Sequence, residues 1–313
     1  VARVIYLGGL GRSGTTLVER LLGELPTVCA LGEVVHLWQR DVRDDERCGC
    51  GEHFSACAFW RAVGERAFGG WSNVDVDRVH ALRDAVERTR HIPRLAAGRV
   101  GRAVVREYAD YYGRVYAAAA AVSGAEAVVD SSKHSSLAHV LRLAENVDLR
   151  VVHVVRDARG VAYSWTKTVD RPETDGAQTM TRYPPTRSAM LWNAHNAAFG
   201  LLARRGVPVR RIRYEEFLTD PRAALVRLAD FAGLRIAPTD LDFLRSGHAD
   251  LRTGHSAAGN PMRFTVGRLP LRHDDAWMQA LPRAQRRLVG AMCAPMLRAY
   301  GYPINPAQAH QEA

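Results

Sequence analysis

The sequence predicts an α/β protein with a mainly parallel central sheet flanked by helices, and three observations predict it. Short apolar runs at Val4–Leu7, Ala127–Asp130, Val151–Val155 and, less cleanly, Val207–Tyr214 have the length and β-branched character of buried strands. Helical patterns follow or separate these runs, the alternation that builds parallel sheets. The first run ends in a glycine-rich loop, and Leu17, Leu21, Leu22 and Leu25 then recur at helical spacing. Ligands of such sheets sit at the carboxyl ends of the strands.

With 313 residues, 47% apolar and 24% charged, the chain can bury a substantial core without staples, and disorder is excluded as its general state. No linker composition divides it, so residues 1–313 read as a single domain. A helical insertion over about residues 40–125 is carried by Val79, Leu82 and Val86 and then by Val104, Tyr108 and Val115, and it should cap the site. The stretch Lys167–Pro185 holds Pro172, Gly176, Pro184 and Pro185 with little periodicity, and reads as a long substrate-binding loop. Residues 307–313 read as a frayed tail. No run of about 18 apolar residues exists, so no membrane span is expected. The opening Val1–Leu10 reads as strand and loop rather than as a signal peptide, which predicts a cytoplasmic protein. Nothing in the sequence reads as an oligomer signature.

Forty-three basic against thirty-three acidic side chains give a net charge of +10, which favours an anionic ligand. Only Lys133 and Lys167 are lysines. The arginines are scattered, with no zinc finger, RNA-binding sheet motif or arginine-rich run, so no nucleic-acid partner is expected. Cys48, Cys50 and Cys57, with His53, supply four potential zinc ligands, but their spacing fits no standard finger. The expectation is therefore no metal, and no obligatory disulfide in a cytosolic setting. Cys293 shares a helical face with Val289 and Met296 and reads as core.

Gly9-Leu10-Gly11-Arg12-Ser13-Gly14-Thr15-Thr16 has the glycine spacing of a phosphate loop, but Thr15 stands where a Walker lysine would be and the positive charge is at Arg12. Glycines let backbone N–H groups converge on an anion, a helix starting near Thr15 aims its positive end there, and the threonine hydroxyls add donors.

Gly11-Arg12-Ser13-Gly14-Thr15-Thr16-Leu17 resembles the 5′-phosphosulfate loop of sulfotransferases that use 3′-phosphoadenosine 5′-phosphosulfate. A second stretch, Val152 to Ser164, resembles the family segment in which a strand-ending arginine and a serine eight residues later bind the donor 3′-phosphate; Arg156 and Ser164 match it. Such an arginine can give a phosphate a charge-assisted pair of hydrogen bonds. The resemblance extends through Asp130-Ser131-Ser132-Lys133, Tyr214-Glu215-Glu216-Phe217 with Asp220-Pro221, and Gly259-Asn260-Pro261-Met262-Arg263-Phe264. It implies a P-loop-kinase-like fold and transfer of a sulfuryl group without magnesium to the hydroxyl or phenol of a small-molecule acceptor, a bacterial metabolite or carbohydrate. For the donor it implies binding by Arg12, Ser13, Gly14, Thr15, Thr16, Arg156 and Ser164, with Tyr214 near the adenosine and Asn260 and Arg263 in the segment that closes over the 3′-phosphate end. The chain departs from the cytosolic branch in lacking its late glycine- and lysine-rich motif and in carrying Leu17 for its tryptophan.

An acceptor hydroxyl needs a base beside it and cations on the leaving side. Ala30-Leu31-Gly32-Glu33 resembles the Gly-Glu segment of the sulfotransferase branches that use glutamate, which makes Glu33 the first candidate. His134, beside Lys133, is the competitor by similarity to the cytosolic branch, and His36 is a third. By the same resemblance, Arg12 and Lys133 are the cations for the departing 5′-phosphate. A P-loop kinase with Asp130 as magnesium ligand is the rival reading.

Overall fold

The computed structural model describes residues 1–87, 91–97, 99–171 and 178–304. Pro172 and Gly176 of the expected substrate loop, and the tail 307–313, lie outside the described residues.

The chain opens with β1 (Ala2–Gly8), α1 (Thr15–Leu22) and β2 (Val28–Ala30), then runs through α2 (Ala58–Phe68), α3 (Val76–Val86), α4 (Ile92–Ala96) and α5 (Arg102–Ser123). It returns to the sheet with β3 (Ala127–Lys133), α6 (Ser135–Leu141), β4 (Val147–Val155), α7 (Ala158–Thr166), α8 (Pro185–Arg204) and β5 (Val209–Arg213). After α9 (Tyr214–Thr219) and α10 (Pro221–Ala232) come β6 (Leu244–Arg245), β7 (His248–Leu251), β8 (Gly267–Pro270), α11 (Trp277–Ala280) and α12 (Arg283–Ala299). Five strands form one parallel sheet in the order β2-β3-β1-β4-β5, and β6, β7 and β8 make a small antiparallel sheet. The predicted fold class is the observed one.

Strand alternation explains the layers. Along β1, Val4 and Tyr6 enter one core with α2, α3 and α5, whereas Ile5 and Leu7 enter a second core with α1 and α10. Each of these side chains is almost fully removed from water, worth about 1.5–3 kcal/mol apiece for residues of this size. A third core holds Val161 of α7, Trp192 of α8, and Val289 and Cys293 of α12.

Two features escaped the apolar pattern. The edge strand β2 has three residues, too few to show a period, yet it pairs with β3 and its ladder continues one step further, Ser131 N–H donating to the Gly32 carbonyl at 2.8 Å. That step delivers Glu33 to the carboxyl end of the sheet. The short strands β6 to β8 carry no alternation long enough to read.

Helices α2 to α5 fill the stretch between β2 and β3 where a helical insertion was expected. Helix α5 buries Val105, Tyr108, Tyr112, Val115, Tyr116 and Ala119 along one face, the stripe expected of an amphipathic helix. Tyr116 donates to Asp130 at 2.6 Å, tying α5 to β3. No described helix is long and apolar enough to cross a membrane.

Candidate active site

The loop between β1 and α1 is shaped by its backbone. Gly14, at φ 90°, is the N-cap of α1, and a Cβ there would fall 2.2 Å from the Tyr214 ring, so only glycine fits. Ser13 and Thr15 are each 1% exposed. Among the described residues the Thr15 hydroxyl is buried with no hydrogen-bond partner, an orphaned donor beside a helix N-terminus that suits an anion oxygen. Thr16 is likewise buried in the first turn. Arg12 stacks over Trp165 with 5.5 Å from guanidinium to ring centre, and its terminal nitrogen lies 3.3 Å from Met180 sulfur. Burial lowers its pKa and the nearby Glu33 charge partly restores it.

Arg156 follows the last residue of β4 and reaches this loop. Its guanidinium donates to the Arg12 carbonyl at 3.3 Å and lies over the Tyr214 ring, 5.1 Å from its centre. Tyr214, where β5 passes into α9, therefore contacts both ends of the expected donor site. The second Arg156 nitrogen is held by Asp274, 3.1 Å from Oδ2, and Lys167 Nζ stands 3.6 Å from the same oxygen. Asp157 pairs with Arg159 instead, at 2.6 Å. Ser164 is half-buried in α7, between Tyr163, which lies under Lys167, and Trp165, whose indole N–H donates to the Gly11 carbonyl at 2.9 Å.

Glu33 and Lys133 meet as an ion pair, Oε1 to Nζ, with side chains 14% and 11% exposed. Among the described residues three non-glycines have positive φ, and the two expected cations are among them, Arg12 at 73° and Lys133 at 66°. Across Lys133 the His134 N–H donates back to the Ser132 carbonyl at 2.7 Å, an i to i+2 bond with the positive φ of a rare, strained γ-turn. Such strain costs about 1–3 kcal/mol and concentrates at functional sites. Burial on its own would raise the Glu33 carboxyl, but Lys133, His36 and His134 outweigh it and hold the carboxyl below its ordinary value. His36 Nε2 is 3.7 Å from the other Glu33 oxygen. His134 turns to a carboxylate as well, Nδ1 lying 3.0 Å from Glu87 Oε1, and Tyr108 donates to the second Glu87 oxygen.

Glu19 and Glu87 were invisible to sequence reasoning. Glu19, buried in α1, accepts from Gly32 N–H at 2.7 Å, Ser131 Oγ at 2.6 Å and Ser256 Oγ at 3.0 Å. Burial raises its pKa and these donors partly offset that. The hub locks the segments that carry Glu33 and Lys133 to one another. Glu87 follows the last residue of α3 and orients His134; a glutamate in a polar helical segment gives no sign of the task.

Asp130 is consumed by the fold. One oxygen accepts from Tyr116 and the other from Ser132 N–H at 2.7 Å and from the Ser132 hydroxyl. Burial pushes it up to about 6 against those hydrogen bonds, so the magnesium-ligand role of the kinase reading has no support in its surroundings. Asn260 Oδ1 accepts from Met262 N–H at 3.0 Å and caps a single 3-10 turn. Arg263 is 1% exposed and donates to the Gly259 carbonyl at 3.4 Å and the Arg47 carbonyl at 2.9 Å. Both side chains thus brace the 259–263 turn, and Arg263 also ties it to the Arg47 backbone.

Comparison with known proteins agrees with this architecture. A family model described as "Sulfotransferase family" matches residues 5–238. The chain is similar to the sulfotransferase domain from the curacin biosynthetic pathway, at 16% identity and a TM-score of 0.54 over 97% of this chain and 99% of that one. Sulfotransferase STF9 from Mycobacterium avium matches at 13% identity and a TM-score of 0.47, covering 97% of this chain and 78% of that one. A curated relative, carbohydrate sulfotransferase 7 of Mus musculus, is 35% identical over 111 residues, 33% of this chain and 22% of that protein. The match thus spans about a fifth of that relative's length.

Proposed function

The chain belongs to the sulfotransferase family, and from that premise we propose that it transfers a sulfuryl group from 3′-phosphoadenosine 5′-phosphosulfate to a hydroxyl or phenol of a small-molecule acceptor, a metabolite or carbohydrate, releasing adenosine 3′,5′-bisphosphate. The whole of 1–313 is read as one catalytic unit with residues of about 40–125 as its cap. The observation that carries the reading is the shared Tyr214 contact: its ring lies against Gly14 of the first loop and under Arg156 from β4. One continuous surface thereby offers a 5′ cradle and a 3′ cation.

The roles follow from charge. Glu33 takes the proton of the attacking hydroxyl as its oxygen bonds to sulfur. The bond from sulfur to the bridging 5′-phosphate oxygen breaks, its electron pair stays on that oxygen, and Lys133 and Arg12 neutralise the growing charge. The loop N–H groups, Ser13, Thr15 and Thr16 hold the 5′ end, and Arg156 with Ser164 holds the 3′-phosphate. Lys133 must leave Glu33 to reach the leaving oxygen, which frees the carboxylate when donor enters.

Calorimetric titration tests the donor assignment. Adenosine 3′,5′-bisphosphate should bind with an affinity indifferent to magnesium, and Mg-ATP should bind far more weakly; the reverse order would overturn the reading.

Asp274 supplies a second expectation. A donor 3′-phosphate must displace it from Arg156, and the pair is 36% exposed on the aspartate side, so its worth is at most about 1 kcal/mol after screening. Asp274→Asn should tighten bisphosphate binding up to roughly fivefold. Unchanged or weakened binding would show that Asp274 does not compete.

A further inference from the structure

Away from the Glu33 and Lys133 pair, the structure gathers Cys48, Cys50, Cys57 and His255, with three sulfur atoms and one imidazole nitrogen all within 4.8 Å of one another. His53, the histidine adjacent in sequence, is not the fourth member: its Nδ1 lies 2.8 Å from the Asp45 carbonyl. His255 takes that place from about two hundred residues away. Its Nδ1 lies 3.3 Å from Cys57 Sγ and 3.9 Å from Cys48 Sγ, while Cys50 Sγ and Cys57 Sγ are 3.8 Å apart.

These separations have a chemical meaning. Zinc–sulfur bonds of about 2.3 Å and zinc–nitrogen bonds of about 2.0–2.1 Å set tetrahedral edges of about 3.8 Å between sulfurs and about 3.6 Å between sulfur and nitrogen. The two sulfur–nitrogen edges of 3.3 and 3.9 Å bracket the second value, and the Cys50–Cys57 edge of 3.8 Å matches the first. They far exceed a disulfide's S–S length of about 2.0 Å, and all the cysteines are free. We propose that Cys48, Cys50, Cys57 and His255 form a structural Cys3His zinc site that clamps the start of the cap to the 255–259 segment. This departs from the expectation of no metal, which rested on spacing within 48–57 alone.

The shell around the four ligands is built for that purpose. Gly49 N–H donates to the Ser256 carbonyl at 2.9 Å, and a Cβ on Gly49 would lie 3.0 Å from the Gly254 carbonyl oxygen, so glycine lets the two backbones meet. The His255 ring stacks on Phe59, 5.1 Å between centres and 18° between planes, and Trp60 donates to the His255 carbonyl at 2.8 Å. Cys57 is the N-cap of α2, where the positive end of a helix favours a thiolate. Three protein sulfurs and a histidine leave no open tetrahedral position, which is the signature of a structural rather than a catalytic zinc.

The consequence reaches Glu33. Beyond His255, Ala257 N–H donates to the Leu31 carbonyl at 2.7 Å, Glu33 N–H donates to the Ala258 carbonyl at 3.1 Å, and the Ser256 hydroxyl joins the Glu19 hub. A metal at the four ligands therefore fixes the backbone that seats Glu33, as a positioning device.

The test is metal analysis of the full-length chain purified without chelator from zinc-supplemented medium. One zinc per chain is expected in the parent and in His53→Ala, falling below about a tenth in Cys57→Ser and in His255→Ala. Because those variants could misfold, the parent is also stripped and refilled with cobalt(II), which should give the intense visible absorption of a tetrahedral thiolate site and compete with zinc. Parent protein that holds no zinc and gives no such cobalt spectrum overturns the proposal. So does iron in place of zinc, a disulfide among Cys48, Cys50 and Cys57 under reducing purification, or loss of metal in His53→Ala with retention in His255→Ala.

Discussion

Lys133→Ala is expected to lower turnover by about 100- to 1,000-fold, the cost of losing one preorganised donor to transition-state charge, roughly 2.7–4 kcal/mol. The expectation rests on more than the presence of an amine. Lys133 ends β3 at φ 66° and faces Glu33 with 11% of its side chain exposed, so the strand fixes where its stem begins and the carboxylate fixes where its head group rests. The leaving oxygen develops its charge only as the sulfur–oxygen bond breaks, so kcat should fall while bisphosphate affinity stays within a few-fold. Lys133→Gly separates the chemistry from the backbone. Glycine takes positive φ at no steric cost, so this variant should melt no lower than Lys133→Ala while remaining equally slow. Steady-state kinetics with sulfur-labelled donor, together with thermal melts, reads both. Near-normal turnover in Lys133→Ala would strip the residue of its role.

What could be read from the chain divides by distance. β1, the Gly9–Gly14 loop and α1 are local features whose glycines, apolar run and helical repeat lie within about twenty-two residues, and all were legible. The convergence of Arg156 on Arg12 was legible only through resemblance, because 144 residues separate them. β2 was missed for brevity, although it is the strand that delivers Glu33. Glu19 reads as an ordinary polar helix position; its three donors come from Gly32, Ser131 and Ser256, and only the closed sheet brings them together. His255 was missed for the same reason: it reaches the cysteines from about two hundred residues away, whereas His53 lies among them in sequence and turns to the Asp45 carbonyl. Asn260 and Arg263 were named from a motif position alone, and the cap and carbonyl contacts that engage both side chains appear only in the fold. Local chemistry is written in order along the chain, whereas hubs and clusters are written in the topology.

Glu33→Gln should retain donor binding and lose about 100- to 10,000-fold in turnover, the range for removal of a general base. The carboxamide keeps the shape but cannot accept the acceptor proton. Breaking the pair also strands Lys133, yet the penalty should stay below the roughly 3–5 kcal/mol of a fully buried pair, because both side chains keep some contact with water. The pH dependence carries a sign that identifies the base. Burial would raise the Glu33 carboxyl, but Lys133 and the two histidines overcome it and hold the folded value below the ordinary one. A depressed carboxyl stays ionised as pH falls past the unfolded glutamate value, and the ion pair's contribution to stability, present above that value, is lost only as pH drops through the folded one. The acid limb of kcat/KM, which follows the free enzyme, should therefore fall below about 4.3, the ordinary glutamate value. Melts run across the same pH range separate loss of the base from loss of the fold. A limb near about 6.5, the ordinary histidine value, together with an active Glu33→Gln, would move proton abstraction to a histidine and leave Glu33 as the partner that parks Lys133 until donor arrives.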